Sequence, residues 1–317
     1  MLTKLRNILR TTWGQAHTPT ISNLPKLISG AELARSSWAK PIQSYANVPD
    51  VYKDFFDSLL ADGQIFPYTV LVPSHERFIH RQSEKLISAF DNEIYILEKA
   101  GSTFNALCFP LDGVSYIEFR SALLASSIKI SGRTSHEVYA TSTLMFNAVT
   151  DYLFTPILKS VRLAKIDYKD VGKCSASDRF DQLINVNYKF MNFAKHSLLA
   201  GERVIYSILQ PEICVSKLTF LGKKYYKTIS PTHMCILTDR ELILIREDAV
   251  RRKEDKYGGI WDYLPLSKIV SLSMSENADN SLVLAVRLPA NTGFEFLFQA
   301  SAKGEIKQLI ERFRDLT

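Results

Sequence analysis

The chain has 317 residues, 46% of them hydrophobic and 23% charged, with a formal net charge of +6. That length predicts two domains of about 100 to 200 residues rather than one small core. The excess of basic residues is spread along the chain, which excludes a strongly basic domain of the nucleic-acid-binding kind, and no window holds the roughly 18 consecutive apolar residues of a membrane-spanning helix.

Along the chain, Met1 to Trp13 puts Leu2, Leu5, Ile8, Leu9 and Trp13 on one helical face beside Lys4, Arg6 and Arg10. This suits a membrane-surface helix or a presequence, and equally a packed N-terminal helix. Residues 18–49 mix Pro, Ser, Ala and Asn and predict irregular chain with short helices. From Phe66 the apolar period becomes two, the mark of strands with one buried face. Strands are predicted at 66–72, 85–90, 92–98, 104–109, 114–120, 122–130 and 136–146. Short Asp91-Asn92 and Asp112-Gly113 connections favour consecutive antiparallel pairing. A helix over 148–163 follows, and Pro156 predicts that it bends or starts late.

Residues 163–178 are polar and contain Gly172, Cys174, Ser175 and Ser177, as a linker would. Residues 179–199 predict a helix with two apolar stripes, Phe180, Leu183, Ile184, Tyr188 and Met191 beside Val186, Phe190 and Phe193. An arc that wide must bury more than one side, so the helix is expected to wedge between two domains. Strands then recur at 203–210, 213–220, 232–238, 241–247, 260–264, 268–274, 281–288 and 292–299. A last helix, about 302–315, carries Ile306, Leu309, Ile310 and Phe313 at helical spacing.

An internal repeat accompanies this recurrence. Asp91 to Glu98 (DNEIYILE) resembles Asp239 to Arg246 (DRELILIR), and each copy is followed by a Pro-Leu step, Pro110-Leu111 and Pro265-Leu266. The second copy carries a longer charged loop between its strands, where insertions are tolerated. About seven short antiparallel strands can hide one face and their edges by curling into a barrel stoppered by an amphipathic helix.

Gly201-Glu202-Arg203-Val204-Ile205-Tyr206, Leu237 to Leu242, Tyr257-Gly258-Gly259-Ile260-Trp261 and Pro265-Leu266 occur in an order that resembles the bacterial family of pleckstrin-homology-like domains. The resemblance covers about 200–317, and reaches the first half only through the repeat. It implies an α+β, mainly β fold: two pleckstrin-homology-like antiparallel barrels, each closed by a C-terminal helix and joined by an inter-domain helix. The boundaries expected are an irregular or helical extension at 1–63, a first module at 64–163, a linker and helix at 164–199 and a second module at 200–317.

Motifs for catalysis are absent from the sequence: it contains no G-x-S-x-G, G-x-G-x-x-G, Walker A or H-E-x-x-H pattern. No catalytic residue, cofactor or metal is expected. His75 and His80 lie five apart, which suits shared ligation neither on a strand nor on a helix. His233 and Cys235 alternate onto one strand face, but two ligands in apolar surroundings read as packing. The four cysteines, Cys108, Cys174, Cys214 and Cys235, show no C-x-x-C and are expected to be buried thiols in a cytoplasmic protein.

Lys217, Lys223, Lys224 and Lys227, interleaved with Tyr225 and Tyr226, stand where the phosphoinositide-binding members of the wider fold grip phosphate. They are the candidate anion or lipid site, or else a solvated hairpin edge. Arg251, Arg252 and Lys253, with Trp261 after them, form a candidate partner loop, Trp261 packing in or capping a barrel mouth. The mixed charge of Arg246 to Lys256, which holds no aromatic, argues against nucleic acid. The expectation is a non-enzymatic protein that binds a protein or peptide through loops and strand edges. The alternative is peripheral attachment to an anionic membrane, at its inner face, through the basic loops and N-terminal helix.

Overall fold

The computed structural model describes residues 38–60, 64–77, 80–123, 125–164, 176–220, 223–247 and 258–317. The N-terminal segment before residue 38, the linker core with Cys174, and the loop carrying Arg251, Arg252 and Lys253 lie outside the described residues. The first half opens with β1 (Lys40–Ile42) and helix α1 (Asp50–Leu59), continues with β2 (Tyr68–Val72) and a short hairpin, β3 (His75–Arg77) and β4 (His80–Gln82), and then runs through β5 (Lys85–Phe90), β6 (Glu93–Ala100) and β7 (Thr103–Pro110). A tight turn at Leu111–Gly113 leads to the meander β8 (Val114–Ser121), β9 (Ser126–Arg133) and β10 (Tyr139–Phe146), and helix α2 (Thr155–Leu163) ends the half.

Helix α3 (Tyr188–Ser197) introduces the second half. It is followed by β11 (Val204–Gln210), the hairpin β12 (Ile213–Phe220) and β13 (Lys223–Ser230), then β14 (His233–Thr238), β15 (Glu241–Arg246) and β16 (Gly259–Pro265). After a turn at Leu266–Lys268 come β17 (Ser271–Glu276), β18 (Leu282–Arg287), β19 (Gly293–Phe298) and helix α4 (Lys303–Arg314). The order of a strand, a hairpin, three strands, a turn, a three-strand meander and a helix thus occurs twice. Local chemistry explains several boundaries. Asp91 adopts φ 49° in the β5–β6 turn, a left-handed conformation that Asp tolerates. Pro156 lies in the first turn of α2, where its missing N–H costs little; the residues before it form a 3-10 stretch, Ala148–Phe154, instead of more α-helix.

Strand pairing is antiparallel throughout, in the orders β1-β2-β5-β6-β7, β10-β9-β8-β16-β15-β14-β11 and β17-β18-β19, with β3-β4 and β12-β13 as separate hairpins. The long sheet crosses the repeat. β8 of the first half pairs with β16 of the second, from Gly259 opposite Ser121 to Tyr263 opposite Ile117.

This overturns the two closed barrels. The fold is α+β and mainly β, but its sheets are open, and its four described helices do not form two barrel-closing units. The physical reason lies at the edges. β10 is joined to the β3–β4 hairpin and the five-stranded sheet by side chains: Gln82 of β4 accepts from Met145 N at 2.7 Å and donates to Met145 O at 3.1 Å, and Lys85 Nζ of β5 donates to Thr143 O at 3.0 Å. In the second half Gln210 Oε1 accepts from Gln299 N at 3.0 Å. Amide and ammonium groups satisfy those backbone edges without a closing strand ladder.

Four apolar clusters fill the spaces between layers. α1 buries Tyr52 and Phe56 on one face of the five-stranded sheet against Leu86 and Leu97. The opposite face packs Val70, Ile87 and Ile94 against Ile117, Ile128 and Ile130 of the long sheet, with Phe154, Ile157 and Val161 closing the end. Along that same face of the long sheet, Phe190, Met191 and Ala194 of α3 cover Met234, Ile236, Ile243 and Ile245. On its other face Leu242, Leu244 and Leu264 meet the three-stranded sheet and α4, which buries Ile306, Leu309, Ile310 and Phe313 at the predicted spacing.

The wedge expected of residues 179–199 is not the arrangement found. A 3-10 stretch, Ala176–Leu183, ends before Asn187, whose side chain accepts from Phe190 N and starts α3 afresh. Ile184 and Tyr188 of one expected stripe and Val186 of the other are 52%, 61% and 67% exposed, so the wide apolar arc never forms and α3 lies on one sheet.

Gly258 and Gly259 open β16 where backbones meet. A Cβ on Gly258 would overlap Ser121 O and stand 3.0 Å from Ala122 Cα, and one on Gly259 would strike the Phe193 ring. Gly258→Ala should therefore cost about 1–3 kcal/mol of stability by overpacking. Urea unfolding measures this, and an unchanged midpoint would contradict the closeness of β8 and β16.

Candidate functional site

Arg162 stands at the end of α2, whose apolar face is buried in the first half, yet its guanidinium reaches into the second. Nε donates to Glu241 Oε1 at 2.9 Å, and Nη2 bonds the same oxygen and donates to Ser197 O at 2.7 Å. Glu202 Oε2 lies 3.5 Å from Nη2. The guanidinium carbon sits 3.9 Å from the Tyr263 ring centroid, a stacking that suits the delocalised cation. All three charged side chains are almost fully buried. Glu202 is held further by Thr238 Oγ1 at 2.7 Å and Leu199 N at 2.8 Å. Burial first, and then repulsion from Glu241, push the Glu202 carboxyl up to about 7 against the pull of Arg162.

A second network lies on the opposite face of the long sheet, across the strands that join the halves. Arg246 Nη2 bridges Glu118 Oε2 at 3.0 Å and Asp262 Oδ2 at 3.2 Å, and Lys129 Nζ donates to Glu118 Oε2 at 2.7 Å. Asp262 is fully buried, and desolvation raises its pKa. Nearby on β14, His233 Nδ1 donates to Pro231 O at 3.0 Å, and the ring packs against Phe296 and Phe298. Burial pushes its imidazole down to about 4, so it is neutral at pH 7.

Where the halves meet, a cleft of about 570 Å³ opens beside the Arg162 clamp. Its walls come from both copies of the Pro-Leu step, Leu111 and Asp112 with Val114, and Pro265, Leu266, Ser267, Lys268 and Ile269, together with Val161 and Arg162 of α2 and the β14–β15 turn Asp239-Arg240-Glu241. The repeat motifs therefore converge on one depression. Its acids are engaged unequally: Glu241 holds Arg162, and Asp239 Oδ1 accepts from Arg203 N at 2.9 Å. Arg240 is different. Its carbonyl accepts from Leu266 N at 3.0 Å, but its Nη1 is buried with no hydrogen-bond partner among the described residues.

The residues singled out from sequence fall elsewhere. Lys217 lies on β12, and Lys223, Lys224 and Lys227 lie on β13; of the four side chains only that of Lys227 belongs to the described residues, and it is exposed, opposite Val215. Trp261 is not at a barrel mouth: it packs under α3, edge-on to Phe193 at 4.7 Å and tilted against Phe119 at 6.1 Å. His233 and Cys235 are buried, and among the described residues no group of three or more His, Cys, Asp or Glu is placed to hold a metal. The side chains of His75 and His80 lie outside the description. Cys108 is half-buried and Cys235 buried, whereas Cys214 is exposed on the β12 hairpin, contrary to the expectation of a buried thiol.

Sequence reasoning missed Arg162, Glu202, Glu241, Arg240, Glu118 and Asp262. The available signal was a charge inside a strand-like apolar run, as at Glu118 and Asp262, since an acid that such a run buries must be paired. No protein-family model matches the chain, and no curated protein matches it.

The raised Glu202 pKa sets a pH dependence. A folded pKa above the unfolded one gives stability that is complete below about 4.5 and is lost as pH rises through about 7. Thermal or urea unfolding between those values should show stability falling with rising pH, with a shallower slope in Glu202→Gln. Asp262 acts in the same direction, so the slope should shrink without vanishing. An equal slope in the variant would show that Glu202 is not the titrating group.

Proposed function

We propose that this is a non-enzymatic binding protein that takes a segment of a protein partner into the cleft between its halves. The observation that carries this reading is the buried, unpartnered Nη1 of Arg240 in a cleft whose apolar walls, Leu111, Val114, Val161, Leu266 and Ile269, stand beside Asp112, Asp239, Glu241, Ser267 and Lys268. An apolar depression with a few converging polar groups is the usual form of a recognition site. A buried donor without an acceptor is costly, and an incoming carbonyl or carboxylate oxygen would satisfy it.

Binding is favoured over catalysis because the strongly perturbed acids are buried beside cations of the chain itself. Glu202 and Asp262 are closed off from solvent and lie beside Arg162 and Arg246, so neither is presented to a substrate as acid or base. The sequence resemblance of residues 200–317 to pleckstrin-homology-like domains agrees with a recognition role, which is an analogy of family.

Peptides displayed against the full chain should enrich sequences with a carboxylate beside apolar residues. Their affinity should fall about tenfold in Arg240→Ala, the equivalent of one charge-assisted hydrogen bond. Enriched peptides that bind the variant equally well would place recognition outside the cleft.

One observation favours attachment to an anionic membrane as a second reading: Lys217, Lys223, Lys224 and Lys227 fall on a single two-stranded hairpin, β12–β13. The chain should then sediment with anionic but not neutral vesicles, and less so as salt rises. Failure to sediment at low salt would reject it.

A further inference from the structure

Four strand edges can be compared because the element order occurs twice. Counted from the shared Pro-Leu step, β7 is the counterpart of β16, and β17 is the counterpart of β8. β16 and β8 are paired with each other inside the chain. Among the described residues their counterparts are not paired: β7 is the last strand of the five-stranded sheet, and β17 is an outer strand of the three-stranded sheet. The chain therefore ends, on one side, in the acceptor strand of this junction and, on the other, in the donor strand.

We infer that these two edges meet between molecules, β17 of one copy adding to β7 of another in the geometry of the internal β16–β8 pair. The resulting sheet, β2-β5-β6-β7 continued by the second copy's β17-β18-β19, repeats the order β11-β14-β15-β16-β8-β9-β10 that the chain already forms. Transferring the internal register places Phe104 opposite Glu276 and Asn105 opposite Ser275 of the second copy. Cys108 O accepts from Ser135 N at 2.9 Å within the chain, so the span offered is Phe104 to Leu107.

Edge chemistry supports this occupant. Exposed edges are ordinarily guarded by charge, proline or a covering group. β10 has Gln82 and Lys85 bonded to its backbone, and Gln210, at the end of β11, accepts from Gln299 N just beyond β19. β7, from Thr103 to Pro110, contains no charged residue and exposes Asn105 and Ala106, and β17 exposes Ser271, Ser273 and Ser275 with one acid at its end, Glu276. Joining unlike edges makes a heterologous interface, which propagates head to tail into a ring or an open chain.

Light scattering on the purified full chain should show a mass that rises with concentration in multiples of the monomer. Cys108 O points away from β6, and Ala106 shares its direction, so Ala106→Pro removes an outward N–H without breaking the β6 ladder. That variant should associate about tenfold more weakly or not at all. Should it fail to fold, Ser273→Lys on the opposite edge must give the same loss. With Cys214→Ser as background, Asn105→Cys protein mixed with Ser275→Cys protein should form a disulfide-linked pair containing one of each. A monomer at every concentration, or an assembly unaffected by both edge variants and lacking that cross-link, overturns the proposal.

Discussion

The pairing of β8 with β16 is the constraint from which the rest of the architecture follows. A meander that stayed with its own half could curl over that half's sheet and close it. Here β8, β9 and β10 extend the second half's sheet instead, and their other face is still needed by the first half's core. Ile117, Ile128 and Ile130 pack against Val70, Ile87 and Ile94 while their backbones belong to the long sheet. The two apolar clusters on that face meet at Phe119, which touches both. Neither half can be opened without disturbing the other. The same sharing leaves β10 to be tied to β4 and β5 by Gln82 and Lys85, and the end of β11 to be tied to Gln299 by Gln210, rather than by a ladder.

Two buried ionic networks stand on opposite faces of this junction, and each draws members from both halves. Arg162 meets Glu202 and Glu241 on one face; Glu118 and Lys129 meet Arg246 and Asp262 on the other. Buried pairs add little net stability over apolar packing, but removing one member strands the rest at a cost of about 3–5 kcal/mol. Their effect is selective. A one-residue slip of β8 along β16 would turn Glu118 from the polar network into the cluster of Ile117 and Phe119. The junction is thus fixed by what the wrong register would bury.

How much of this the sequence discloses depends on the range of the interaction. Period-two runs reveal the strands, and Ile306, Leu309, Ile310 and Phe313 reveal the last helix, because a single face and its neighbours decide both. Pro156 marks the late start of α2 for an equally local reason. β13 escapes because its residues, KKYYKTIS, carry no alternating apolar face in the sequence. The break before α3 was legible in principle, since Asn187 is a capping residue in the middle of the apolar stretch, but its two stripes suggest one continuous helix. The β8–β16 pairing joins segments far apart in the chain, and no periodicity encodes which strand lies beside which. The cleft inherits that obscurity, for Arg162 and Arg240 become neighbours only once the halves are joined.

The divergence of the two copies follows the same logic of desolvation. At the internal junction the facing pair is Asp262 and Glu118; the counterparts of those positions, counted from the Pro-Leu step, are Leu107 and Ser273. A carboxylate buried in a sheet must have a partner held in place, and Arg246 and Lys129 supply it only because both halves are on one chain at fixed register. Strands whose neighbour is not covalently guaranteed cannot rely on such a partner. Leucine gains from being covered and serine loses little either way, and neither leaves a buried charge to be paired. Charge at the inner junction and neutrality at the outer edges are therefore one rule applied to two situations, a permanent neighbour and an optional one.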